Sequence, residues 1–204
     1  MVPAVVGSHG FKKGPLNSDH HAMCIEKVRA GIDKAAEFGS PGVIVFTGMR
    51  EEGISDEQAD RNCVECWKKV IPYAEEKEVN LVLEHLNSRD DTHPMKGHPG
   101  YYGDDVDHCV ELIRKVDSPR MKLLFDIYHV QIMNGDVIRR IRQYKDVIGH
   151  YHTAGNPGRH ELDDNQENNY RPVMQAIADL TVRMARENPR WGYTQIRSAL
   201  RNVG

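Results

Sequence analysis

Short apolar runs alternate with helical patterns along this chain, and that alternation limits the fold more than any other feature of the sequence. The runs are VPAVV at 2–6, GVIVFT at 42–47, VNLVLE at 79–84, MKLLFD at 121–126 and VIGHYH at 147–152. Helical periodicity fills the gaps at about 22–38, 57–77, 105–116 and 135–145. Apolar runs of this length, each joined to the next by a helix, read as buried parallel strands in right-handed crossovers. Gly39 after a helical pattern, Pro41-Gly42 before a run and Ser118-Pro119 before another are the turn residues such connections use. The expectation is an α/β fold with about five parallel strands and intervening helices.

In a parallel sheet of this kind, side chains from successive strand ends converge on one rim. Glu84 stands late in VNLVLEHLN, Asp126 in KLLFDIYHV and His152 in VIGHYHTAG, while Glu167 follows in the loop GNPGRHELDDNQENNY. Three carboxylates and an imidazole suit one divalent metal ion, Mg²⁺ or Mn²⁺, and include no thiolate that would favour structural zinc. Any one of them alone reads as a solvated loop residue or a helix cap. Their joint occurrence, in order, on successive βα units is what marks a site.

Composition excludes little. The chain has 204 residues, 28% of them charged, and a formal net charge of −3, so it is long enough for a real core. No apolar stretch approaches the roughly 20 residues that span a bilayer. The N-terminus MVPAVVGSHG lacks a basic region followed by an apolar core, so the expectation is a cytoplasmic protein with no membrane partner. Cys24, Cys63, Cys66 and Cys109 show no second pair at zinc spacing and read as reduced, half-buried helix cysteines.

LEHLN, FDIYHVQ, IGHYHTAGNPGRHEL and QENNY, in that order and at these separations, resemble the xylose-isomerase-like TIM-barrel superfamily over about residues 2–179, most closely its hydroxypyruvate isomerase branch. The resemblance implies that Glu84, Asp126, His152 and Glu167 bind one divalent metal. It implies that Glu84 and Glu167 are the acid/base pair on opposite faces of the substrate. It also implies that His129 hydrogen-bonds substrate oxygens and that Arg159 faces the substrate's far end. Asn87 and His85, flanking the first ligand, are further candidates for lining the pocket.

The chemistry makes these residue types sensible. Moving a carbonyl to the adjacent carbon of a hydroxy-acid takes a proton from one carbon and returns it to the next through an enediolate, which a metal stabilises and carboxylates serve as base and acid. A guanidinium at Arg159 matches a carboxylate in bidentate geometry, which favours a small hydroxy-keto acid such as hydroxypyruvate over a neutral ketose. Ketose 3-epimerase and inosose dehydratase chemistry are the nearest variants in the same superfamily.

A complete barrel of this type needs about 250 residues and eight strands. Residues 1–180 read as a partial barrel holding family strands 3 to 7, with the first two and the last strands missing. Residues 181–204 read as a separate helical tail, in which ARENPRWGYTQIRSALRNVG resembles the segment that precedes the catalytic core of insertion-sequence transposases and retroviral-type integrases. The tail's Arg183, Arg186, Arg190, Arg197 and Arg201 could meet phosphate, but with Ile196 and Leu200 they read as the solvated face of an amphipathic helix, so nucleic acid is not the expected partner. Open sheet edges would favour self-association. Two function classes follow: an isomerase impaired by truncation, or a non-catalytic gene-fusion remnant with weak nucleic-acid affinity in its tail.

Overall fold

The computed structural model describes residues 4–92 and 96–187, with side chains described up to 179. Four strands alternate with helices: α1 (His21–Phe38), β1 (Gly42–Val45), α2 (Asp56–Glu76), β2 (Asn80–Glu84), α3 (Val106–Val116), β3 (Met121–Asp126), α4 (Ile127–Met133), α5 (Val137–Gln143), β4 (Ile148–His152) and α6 (Tyr170–Glu187). Local signals mark several of the helix ends. Ser55 accepts the Gln58 N–H at the start of α2, and Asp105 accepts the His108 N–H at the start of α3. Gly39 ends α1 at φ 67°, where its N–H meets the carbonyls of Ala35 and Ala36.

The strands form one parallel sheet in sequential order β1-β2-β3-β4, so the expected neighbours β2 and β3 do pair. Pairing of Leu83 with Leu123 and of Phe125 with Tyr151 puts Val43, Val45, Leu81, Leu83, Leu123, Phe125 and Tyr151 on one face. That face joins Trp67, Val70, Cys109, Leu112 and Ile141 of the helices in the main core. The opposite face carries Ile44, Val82, Leu124 and His150, and ends in Glu84, Asp126 and His152. Gly149 lies where the β3–β4 register shifts, and a Cβ there would stand 2.7 Å from Lys122 Cβ.

Three expectations need correction. The fifth strand, at 2–6, is reduced among the described residues to one parallel bridge, Val6 to Val43. The Val6 N–H reaches the Gly42 carbonyl at 2.9 Å and its carbonyl takes the Ile44 N–H at 2.8 Å. The ladder then stops because the Ser8 hydroxyl, 2.5 Å from the Ile44 carbonyl, takes the place of a backbone donor. A helix not expected from the sequence, α4, follows β3 without a loop. The four cysteines are fully buried rather than half-buried, each at or below 1% exposure, because α1, α2 and α3 turn them onto the sheet or each other.

The boundary placed at 180 falls inside α6, which continues to Glu187. The remainder of the expected tail, 188–204, lies outside the described residues, as do residues 1–3 of the first run.

On the outer layer, α2 and α3 are tied by Asp60, which accepts from the Tyr102 hydroxyl at 2.6 Å, the His108 ring at 2.7 Å and Lys115 Nζ at 2.7 Å. Burial works against the Asp60 charge, but these donors outweigh it and hold the carboxyl below its ordinary range. The stability this group contributes is therefore present above its unfolded pKa and is lost as pH falls through the lower folded value. Urea midpoints measured between about pH 6 and pH 3 should fall less steeply for Asp60→Asn than for the parent. An unchanged slope would show that the cluster contributes nothing to acid sensitivity.

Candidate metal centre

Glu84, Asp126 and His152 are the last residues of β2, β3 and β4, three neighbouring strands that all point the same way. Their side chains therefore leave the sheet at one rim and on one face. Glu84 is 7% exposed and Asp126 2%. Glu84 Oε1 lies 3.2 Å from His152 Nδ1, and Asp126 Oδ2 lies 3.6 Å from the same nitrogen. The backbone around Glu84 is fixed by the buried Tyr101 hydroxyl, which donates to the Glu84 carbonyl at 2.9 Å and accepts the Thr47 N–H at 3.1 Å.

Asp126 has two duties that its two oxygens divide. Oδ1 accepts the N–H groups of Tyr128 at 2.9 Å and His129 at 3.3 Å, capping α4. Oδ2 is left facing the site, 3.8 Å from His129 Nε2 and 3.9 Å from an Arg159 guanidinium nitrogen. The same residue thus ends a strand, starts a helix and offers an oxygen.

Ligand atoms of Glu84, Asp126 and His129 lie within 4.8 Å of one another. Hydrogen bonding nevertheless favours His152 over His129 as the nitrogen ligand. His129 Nδ1 accepts the Asn87 backbone N–H at 3.0 Å and faces the Asn87 side-chain amide at 2.7 Å. The amide's orientation is set by its own partners: Oδ1 accepts the Asp90 N–H at 3.0 Å and Nδ2 donates to the Lys96 carbonyl at 2.7 Å. A neutral imidazole whose Nδ1 accepts must carry its proton on Nε2. His129 therefore presents a donor to the site, while His152 Nδ1 stands between two carboxylate oxygens.

The electrostatics describe a cluster built for positive charge. Burial pushes the Asp126 carboxyl up, but His152, His129 and Arg159 outweigh it and bring it down to about 2. Burial alone would lower His152, yet Asp126 and Glu84 raise it to about 9. Glu84 is raised, first by burial and then by the Asp126 charge, against the opposing pull of His152. His129 is lowered to about 3, chiefly by burial, and stays neutral. Two buried carboxylates drawing a proton onto the imidazole between them are a donor set that a divalent cation would fit.

The remaining candidates divide. Asn87 is fully buried and orders His129 rather than facing the cation position. His85 is fully buried, edge-on to the His129 ring at 6.2 Å, and burial lowers it to about 4. Arg159 reaches Asp126 and lies 5.7 Å from the centre of the Tyr128 ring. Its backbone sits in the left-handed region at φ 57°, beside the bridge between Gly155 and His160. An open cavity of about 520 Å³ runs past Asp126, His150, His152, Thr153 and Arg159.

Glu167 is not brought to this group. It is exposed in the loop before α6, where its N–H bonds to the Asn156 carbonyl at 2.5 Å. Sequence reading missed Tyr101 and Gly97, which position the site through a hydroxyl and through the absence of a side chain. Only the glycine-rich string GHPGYYG signalled them.

The fold agrees with comparison to known proteins. Residues 4–185 match the family of xylose isomerase-like TIM barrels. The chain belongs to that family. Within the family's reach, a protein of Xenopus laevis named putative hydroxypyruvate isomerase is 26% identical over 163 residues, covering 76% of this chain and 57% of the relative. The hydroxypyruvate isomerase of Escherichia coli K12 is 29% identical over 134 residues, covering 66% of this chain and 49% of the relative. The chain thus spans about half the length of these relatives. The crystal structure of an AP endonuclease, family 2, from Brucella melitensis superposes with a TM-score of 0.79 at 21% identity, covering 88% of this chain and 69% of the other, a likeness of fold.

Proposed function

We propose that the chain is a divalent-metal-dependent isomerase of small hydroxy-keto acids, of the type that interconverts hydroxypyruvate and tartronate semialdehyde. The observation that carries this reading is the convergence of Glu84, Asp126 and His152 on one rim, with Glu84 Oε1 3.2 Å from His152 Nδ1 and Asp126 Oδ2 3.6 Å from it. Similarity to hydroxypyruvate isomerases supports the substrate class.

Glu84, Asp126 Oδ2 and His152 Nδ1 would hold Mg²⁺ or Mn²⁺, and Glu167 would complete the set through movement of its loop. The ion would supply Lewis-acid neutralisation of charge building on the substrate oxygens. Glu84, raised by burial, is suited to accept the proton α to the carbonyl and to return one to the adjacent carbon. Glu167 would serve from the other face. His129 Nε2–H donates to a substrate oxygen, held in that tautomer by Asn87.

The same residues could serve 3-epimerisation of a ketose or dehydration of an inosose. Arg159, beside Asp126, favours a substrate bearing a carboxylate. Arg159→Ala should raise KM for hydroxypyruvate by about tenfold or more, with kcat and the KM for a neutral ketose changing far less. Equal losses on both substrates would make Arg159 structural. The exposed position of Glu167 is the observation that favours the second reading, a non-catalytic remnant that keeps the ligand residues.

A further inference from the structure

Asn87 holds two histidines, not one. Its N–H donates to the His129 ring, and its carbonyl accepts the backbone N–H of His98 at 2.7 Å. The loop bearing His98 closes tightly on this residue: a Cβ on Gly97 would stand 2.0 Å from the Asp90 carbonyl oxygen and 2.5 Å from Asn87 Oδ1. Only glycine permits that approach. The result is a His98 ring 6.0 Å from the His129 ring and packed edge-on against Phe11 at 4.3 Å.

His98 is 6% exposed, and among the described residues neither of its ring nitrogens has a hydrogen-bond partner. Nor does His129 Nε2. Buried polar atoms are ordinarily paired, so a donor and an acceptor left open beside a candidate site call for a ligand that supplies the missing partners. A side chain needed only to pack against Phe11 would do better without nitrogens. His85 also lacks a hydrogen-bond partner among the described residues, but it is completely buried, and its charged surroundings are Asp126 first and then Asp105, Arg140 and Asp107, whereas the charge felt by His98 is Arg159.

We infer that His98 is a substrate-contacting residue that sets specificity, presenting a ring nitrogen to the oxygen next to the one held by His129. Two imidazoles at this separation can each form a hydrogen bond of about 2.8 Å to oxygens on adjacent carbons. An α-hydroxy-acid or α-hydroxy-ketone carries such a pair; a simple monocarboxylate does not. A neutral imidazole offers one donor and one acceptor, and at His129 the Asn87 N–H on Nδ1 leaves the donor on Nε2. The inference rests on the hydroxy-keto acid reading of this site.

The test is calorimetric binding of tartronate, which has adjacent hydroxyl and carboxylate oxygens but no carbonyl to isomerise, to the full chain loaded with Mn²⁺. His98→Phe keeps the packing on Phe11 and removes both nitrogens; His98→Gln keeps a donor and an acceptor. The expected result is an affinity for tartronate weakened about tenfold in His98→Phe and held within about threefold in His98→Gln, with Mn²⁺ affinity equal in all three proteins. Should His98→Phe not fold, His98→Met supplies the nitrogen-free side chain. Parental affinity in the nitrogen-free variant would overturn the assignment, and so would equal loss in both variants, which would mark a role in shape. A parent protein that takes up Mn²⁺ but does not bind tartronate would instead overturn the hydroxy-acid reading, and His98 with it.

Discussion

Glu84→Gln is expected to lower turnover of hydroxypyruvate by about three orders of magnitude and to abolish stabilisation by Mn²⁺. The substitution is nearly isosteric, and the amide can still accept from His152, so the fold should persist. It removes a charged oxygen from a group in which Glu84 stands 3.2 Å from the His152 nitrogen, and it removes the proton carrier. Loss of activity with the metal response retained would separate the two duties and leave Glu84 as a base only. Glu167→Gln provides the contrast. In this account it too abolishes turnover, although its exposed side chain contributes nothing to the packing of the site in this conformation. Full activity in Glu167→Gln would remove it from the mechanism.

Asp126 carries the second large effect, and two variants divide it. Asp126→Asn keeps an oxygen to cap α4 through Tyr128 and His129 but loses the charge that faces His152 and Arg159. It should fail to bind Mn²⁺ and also lose some metal-free stability at neutral pH, because His152, His129 and Arg159 hold the Asp126 carboxyl down to about 2. Asp126→Ala loses the cap as well, which should cost about a further 1–2 kcal/mol in metal-free stability, measured by denaturant unfolding. Equal metal-free stability in the two variants would contradict the capping role.

The order of elements was legible in the sequence because each strand is an apolar run between helical patterns, and α2 and α3 each start on a capping residue, Ser55 and Asp105. Glu84, Asp126 and His152 could be placed because each ends such a run, and a parallel sheet does the rest. What could not be read was local. IYHVQIM continues the apolar character of β3, so nothing but the capping oxygen of Asp126 reveals that a helix begins there. The first run, VPAVV, looks like a strand, but Ser8 replaces its next backbone donor. The roles of Asn87 and His98 depend on contacts across 42 residues of chain and on a loop that only Gly97 can close, and neither leaves a periodic trace in the sequence. Glu167 was placed by its order along the chain and by the resemblance that QENNY carries, neither of which says where a loop side chain comes to rest.

The central claim is that Glu84, Asp126 and His152 form one divalent-metal site, and Mn²⁺ titration of the parent protein followed by both calorimetry and melting tests it most directly. A ligand that binds only the folded chain stabilises it by about 2.7 kcal/mol at a hundred times its Kd. The expected result is uptake of one Mn²⁺ per chain with a saturating rise in Tm, both lost in Glu84→Gln and in Asp126→Asn. Absence of uptake, or uptake that survives both substitutions, would contradict it.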